Sequence, residues 1–139
     1  MRESVSPDIV VHVCTNCMPQ GGHLPRQWVQ DGARIFVREV PCTGKLDGQY
    51  LMHALEGGAW GVCVIACPKG DCHLAQGNYR AELRVRTIQR LLAEIGLPQE
   101  RAQLVHVPPE APVEQTEQLV RAAVGQISAL GKSPLRAAR

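Results

Sequence analysis

The chain has 139 residues, enough for one domain to bury a core without disulfide staples or a structural metal. A formal charge of +2 and only five aromatic side chains (two Trp, two Tyr, one Phe) argue against a nucleic-acid binder. The first residues lack the apolar core and cleavage site of a signal peptide, and no apolar run approaches the ~18 to 20 residues that cross a bilayer, so a cytoplasmic protein without membrane insertion is expected.

After a polar tail, Ile9-Val-Val-His-Val-Cys14 is a short β-branched run that reads as a strand buried on both faces and ending in a cysteine. Cys14-Thr-Asn-Cys17 and the Gly21-Gly22 that follows are loop by composition, and the pattern predicts a modest helix over 23–30, closed by Asp31-Gly32. Residues 33–42 form the second predicted strand. Its interior carries Arg38 and Glu39, which a central parallel strand could not easily bury, so it belongs at an edge, and it too runs into a cysteine, Cys42. Asp47 is placed to cap a helix through residue 56, with Leu51, Ala54 and Leu55 on one face and Gly57-Gly58 as its stop.

The third strand, 61–66, is apolar from Val62 to Ala66 and belongs at the centre; it leads into Cys67-Pro-Lys-Gly-Asp-Cys72-His73. Residues 76–95 read as the longest helix, with Ala81, Val85, Ile88, Leu92 and Ile95 on the buried stripe and Arg86 and Arg90 opposite. Leu83 projects between those arginines. Single exposed apolar residues are ordinary, so the face reads as solvated, a basic docking surface being the alternative. A fourth strand over 103–107 stops at Pro108-Pro109, and an amphipathic helix over 112–130 closes the fold.

Strand and helix thus alternate four times without a linker, which predicts a single α/β domain spanning 1–139, with a core of about 8–130 and flexible tails at 1–7 and 131–139. The expected architecture is a four-stranded parallel sheet of order 2-1-3-4 with helices on both faces, doubly wound in the manner of flavodoxin. Right-handed crossovers put the first helix on one face and the next two on the other, and the last helix returns to the thinly covered first face.

Ligands of such a sheet sit beyond the carboxyl ends of its strands. Cys14, Cys42 and Cys67 stand at three of those ends, with Cys17 and Cys72 in the loops behind two of them. Cys63 lies four residues before Cys67, roughly 13 Å back along the strand, and reads as a small core residue. Five converging thiols could hold an iron-sulfur cluster, which needs four of them; they could bind zinc, or Cys14 and Cys17 could work as a dithiol couple. His73 could ligate iron or donate a hydrogen bond to a sulfur, although an ordinary polar loop residue accounts for it too. His12, His106 and Asp71 read as structural. There is no phosphate loop, no dinucleotide fingerprint and no traceable nucleophile with its base.

At these residues the sequence resembles the iron-sulfur delta subunit of methyl-viologen-reducing hydrogenase and its relatives. The likeness rests on Cys14-Thr-Asn-Cys17, Cys42-Thr-Gly44 with Asp47, the block Ala66-Cys-Pro-Lys-Gly-Asp-Cys-His73 with Gly77-Asn-Tyr-Arg-Ala81, and Glu100-Arg101; it covers about residues 8–130. The spacing from Cys17 to Gly21-Gly22 is one residue longer than the usual pattern, and Val107-Pro-Pro-Glu110 departs from it. The resemblance implies a [2Fe-2S] cluster on four of Cys14, Cys17, Cys42, Cys67 and Cys72, and a non-catalytic subunit that relays single electrons. Its implied partners are a hydrogenase-like or formate-dehydrogenase-like donor module and a flavin-containing, heterodisulfide-reductase-A-like protein.

Overall fold

The structure, a computed structural model, describes residues 8–14, 22–40, 48–66, 77–108 and 111–132. In chain order the elements are β1 (Ile9–Cys14), β2 (Gln27–Gln30), β3 (Ala33–Val40), α1 (Gly48–Glu56), β4 (Gly61–Ala66), α2 (Gly77–Glu94), β5 (Ala102–His106) and α3 (Val113–Leu130). They build one mixed sheet of order β2-β3-β1-β4-β5. The four predicted strands are β3, β1, β4 and β5, all parallel; the fifth, β2, is antiparallel to β3.

That fifth strand replaces the helix expected over 23–30. Trp28 pairs with Ile35 and Gln30 with Ala33 across a two-residue turn in which Asp31 and Gly32 both take positive φ, 51° and 83°. Asp-Gly is the pair that a type I′ hairpin turn favours, because both central residues must be left-handed and the resulting twist matches that of the strands. Hydrogen bonds and packing then fix the hairpin on α3: Trp28 Nε1 donates to Gln30 Oε1 at 3.0 Å, Gln30 Nε2 to the Arg121 carbonyl at 3.0 Å, and the Arg121 guanidinium stacks 4.5 Å above the Trp28 ring. The edge position expected for β3 is therefore only half correct. β2 pairs with Ala33 to Phe36, and the exposed Arg38 and Glu39 lie in the half that it does not reach.

Both faces of the sheet are covered, by different means. α1 and α2 lay Leu51, Leu55, Val85, Ile88 and Leu92 on Val62 and Val64. On the other face α3 brings Val120, Val124 and Ile127 onto Ile9, Val11, Ile35, Cys63 and Ile65, and Leu24 and Trp60 complete that layer. The last helix thus covers the face that lacks the first one. Its approach is close: a Cβ on Gly61 would lie 2.5 Å from the Arg101 carbonyl oxygen and 2.6 Å from Ile127 Cγ2.

α2 ends at Glu94, one residue short of Ile95, which the periodicity placed on its buried stripe. Gly96 adopts φ 85°, the Gly96 and Leu97 amides donate back to the carbonyls of Ala93 and Leu92, and Leu97 packs against the core. This glycine cap swings the chain around so that Leu97 fills the place expected of Ile95, which is 58% exposed.

The amino ends of the parallel strands are fastened to one another. Trp60 N donates to the Asp8 carbonyl at 2.6 Å, Asp8 N to the Arg34 carbonyl at 2.9 Å, and Arg34 N to Asp8 Oδ2 at 2.8 Å. Arg101, only 4% exposed, donates through Nη1 to the carbonyls of Trp60 and Gly131, both at 2.9 Å. Its Nη2 reaches the carbonyls of Lys132 and Leu130 at 3.4 and 3.5 Å, so a guanidinium closes the carboxyl end of α3, where the helix leaves carbonyls unpaired and partial negative charge.

Candidate functional site

The cysteine-bearing segments leave the opposite, carboxyl edge of the sheet. Cys14 is the last residue of β1 and stands in register with Val40, the last of β3; β4 ends at Ala66, directly before Cys67. Segments 15–21, 41–47 and 67–76 therefore depart from three adjacent strands at one edge, because the strands are parallel and centred on β1. Two of them lead into α1 and α2, whose amino ends lie at this same edge and favour thiolate over thiol.

Cys14 is buried, 2% exposed, and alternation along β1 places it with His12 on the face of α1 and α2. Cys17, Cys42, Cys67, Cys72 and His73 lie outside the described residues, as do Asp47 and Asp71. The described part of β3 ends at Val40, and the expectation that this strand runs on to Cys42 falls outside the described residues. Among the described residues no three His, Cys, Asp or Glu side chains are grouped to hold a metal ion.

Cys63 is set apart from this edge. It is fully buried, in register with Val11 and Gln103, under α3, and burial pushes its thiol up to about 12. Such a sulfur is a protonated core group, since the thiolate is the form that binds metal or attacks a disulfide.

His12 is equally enclosed. Burial, and secondarily the charge of Arg38 across the β1–β3 register, pull its imidazole down to about 4, so it is neutral at pH 7. The two line a cleft of about 400 Å³ with Val10, Phe36, Val37, His53 and Ala54. Sequence reasoning took Arg38 only as a sign of an edge strand. That it faces His12 follows from the register, which fixes which residues of two strands are neighbours and which no composition rule supplies. Arg101, read from the sequence as part of a family motif, is the buried helix clamp described above.

A family model for the methyl-viologen-reducing hydrogenase delta subunit matches residues 9–131. This chain belongs to that family. The match begins with β1 and runs just past α3, so all three strand ends and both covering layers of this delta-subunit domain fall within it. An iron-sulfur subunit of the F420-non-reducing hydrogenase of Archaeoglobus profundus is 35% identical over 105 residues, covering 75% of this chain and 77% of the relative. The vhu iron-sulfur subunit of the F420-non-reducing hydrogenase of Methanocaldococcus jannaschii is 33% identical over 109 residues, 78% and 81% of the two chains. The delta-subunit domain also resembles part of a much longer protein. A subunit of the ferredoxin:CoB-CoM heterodisulfide reductase of Methanosarcina mazei is 29% identical over 101 residues, which are 72% of this chain and 13% of that one.

Proposed function

We propose that this chain is a non-catalytic electron-transfer subunit that carries a [2Fe-2S] cluster on four of Cys14, Cys17, Cys42, Cys67 and Cys72. The observation that carries this reading is the departure of three cysteine-bearing segments from adjacent strand ends at one edge, beside two helix amino ends. The residues there fit such a group: the donors are soft thiols, Cys14 is shielded from water, and Cys63, whose thiol burial keeps protonated, lies elsewhere. When bound, such a cluster takes up and releases one electron at a time. The chain itself supplies the ligands, the enclosing core and neighbouring groups that tune the potential, Arg38 among the described residues and His73 by its place next to Cys72.

The names of the relatives support the setting. Two are called iron-sulfur subunits of hydrogenases, and in a third the matching segment is part of a heterodisulfide reductase. The proposed role is accordingly a relay between a hydrogenase-like or formate-dehydrogenase-like donor module and a flavin-containing heterodisulfide-reductase-A-like acceptor in the cytoplasm. No helix among the described residues is long and apolar enough to cross a membrane.

Anaerobic purification followed by iron and acid-labile sulfide analysis tests the reading. The expected result is about two irons and two sulfides per chain with a rhombic EPR signal after reduction. A colourless, iron-free protein from anaerobic cells overturns it. Zinc at about one per chain would favour a zinc-stabilised binding module, and a reversible Cys14–Cys17 disulfide in iron-free protein a thiol-disulfide role.

A further inference from the structure

The side of α3 that faces the sheet is apolar except near its two ends, where its buried stripe of Thr116, Val120, Ala123, Val124, Ile127 and Ser128 carries hydroxyls. The two hydroxyls are placed differently. Ser128 Oγ lies 3.1 Å from both Asp31 Oδ2 and the Gly125 carbonyl, two acceptors for its one proton. Thr116 is 0% exposed, and its Oγ1 has no hydrogen-bond partner among the described residues. A helical threonine has a ready acceptor in the carbonyl four residues back, and Thr87 of α2 uses that of Leu83 at 2.9 Å. For Thr116 the corresponding carbonyl is that of Pro112, which accepts instead from the backbone nitrogens of Gln115 and Thr116, at 3.0 and 3.1 Å. An enclosed hydroxyl left in this condition is costly, and a valine of the same shape would avoid the cost. Trp60 Nε1 and Arg101 Nε also lack partners among the described residues, but those residues stand at the opposite pole and keep 8% and 4% of their surface, whereas Thr116 keeps none.

The hydroxyl lies at the cysteine edge. α3 starts there and ends at the amino pole, since β5 carries the chain to the first and Arg101 clamps Gly131 at the second. Ile127 lies against Gly61, the first residue of β4. Thr116 is eleven residues earlier, about 16 Å back along the helix, and β4 climbs about 16 Å from Gly61 to Ala66. Thr116 thus stands roughly level with Ala66, the last residue before the segment that carries Cys67 and Cys72. The same layer holds Val107, whose amide donates to the Ala66 carbonyl at 2.9 Å, and Ala111. The helix end adds a field of its own. Pro112 offers no side-chain cap, Glu114 of the first turn is exposed, and the partial positive charge of the amino end favours a negative acceptor beside Thr116.

From the enclosed hydroxyl and its position we infer that Thr116 donates its proton to a sulfur of the cluster, either a ligating thiolate or a sulfide, and thereby raises the reduction potential. The inference rests on the [2Fe-2S] reading above and assigns a residue outside the cysteine-bearing segments to that site. Sulfur that is ionised and bound to iron is the negative acceptor which this edge supplies, whereas the protonated Cys63 lies elsewhere. A hydrogen bond to such a sulfur stabilises the reduced cluster, with its additional electron, more than the oxidised one. A core position that valine would fill more cheaply is in this way put to use.

The test uses the full chain, purified anaerobically, with the variants Thr116→Val, Thr116→Ala and Thr116→Ser. Valine keeps the shape and removes the hydroxyl, alanine removes it with less bulk, and serine retains it. In an EPR-monitored redox titration, Thr116→Val and Thr116→Ala are expected to show at least a tenfold lower ratio of reduced to oxidised cluster at the same ambient potential, a midpoint about 59 mV lower for one electron. Thr116→Ser should titrate like the wild type. In ENDOR spectra of the reduced protein, one proton coupling that exchanges in D2O should be lost from the valine and alanine variants and kept in the serine variant. Loss of iron from Thr116→Val and Thr116→Ala but not from Thr116→Ser would also support the hydrogen bond, as a group needed to hold the cluster. Equal iron and an unchanged midpoint in Thr116→Val overturn it and leave the cluster reading standing. A shift that Thr116→Ser reproduces in full overturns it as well, because packing and not the hydroxyl would then be responsible. Wild-type chain free of iron and sulfide overturns both readings, and that measurement comes before any variant is compared.

Discussion

The guanidinium of Arg101 donates a 2.9 Å hydrogen bond to the carbonyl of Trp60, forty-one residues away and immediately ahead of β4. Through the same group the start of β4 is joined to the end of α3. Burial lowers the pKa of Arg101 but does not bring an arginine near neutrality, so the cation is stabilised by carbonyl dipoles and the helix end. Arg101→Leu should leave buried carbonyls without donors and cost about 2 to 4 kcal/mol in urea unfolding. Arg101→Lys should recover only part of that loss, since one ammonium cannot reach carbonyls on both sides. An unchanged unfolding midpoint for Arg101→Leu would show that the clamp contributes nothing.

Gly61 lies tightly between the residue ahead of β5 and Ile127 of α3. A methyl there meets a backbone carbonyl on one side and Ile127 on the other, and the carbonyl cannot move aside without disturbing the start of β5. Gly61→Ala is expected to destabilise the fold by about 1 to 3 kcal/mol. Combining it with Ile127→Val should restore a minor part at most, and a double-mutant cycle reads that coupling directly.

The hairpin yields a third expectation. At φ 83° Gly32 sits where a β-branched residue is strained, and nothing lies near the place of its Cβ, so the effect of substitution is purely conformational. Gly32→Val should lower stability by roughly 1 to 2 kcal/mol in thermal unfolding. If the turn instead tolerates valine without loss, the two-residue left-handed turn is not what holds β2 in place.

This hairpin also marks where the sequence was readable and misread. Gln27 to Gln30 is too short for its periodicity to separate helix from strand, and Asp31-Gly32 serves equally as a helix stop or as a hairpin turn. The four parallel strands were legible because Ile9 to Val13 and Val62 to Ala66 are continuous apolar runs, which only burial on both faces explains. Ile95 misled for a different reason. It continues the stripe of Ala81, Val85, Ile88 and Leu92, but the left-handed Gly96 ends the helix and hands its place to Leu97. As for the site, chain topology made the meeting of the strand ends predictable. The pairing of His12 with Arg38 depends on register, and the role of Arg101 on a contact with a helix end far along the chain.

The cysteines separate in a way that chemistry can check. With its thiol pushed up to about 12 from the ordinary 9.0, Cys63 is protonated in the folded chain at pH 8 and should resist iodoacetamide until the protein unfolds. The sign follows from the raised value: the stabilisation from keeping this thiol neutral is complete below pH 9 and is lost as the pH climbs through about 12. Cys67→Ser should abolish the visible absorption of the anaerobically purified protein, while Cys63→Ser should leave the spectrum nearly intact at a cost of about 1 to 2 kcal/mol for a buried hydroxyl. Equal loss from the two variants would sink the assignment of the site to the strand ends.

The fastenings among Asp8, Arg34, Trp60, Arg101 and Gly131 all lie at one end of the sheet, the end away from the cysteines. On the function proposed above, folding stability and redox chemistry fall to opposite poles of the same strands. Changes of loop length, ligand or neighbouring charge at the carboxyl pole can reset a potential or a partner while the amino pole keeps the sheet assembled. A domain divided in this way can be carried from one electron-transfer assembly to another, adapting at one pole without refounding its core.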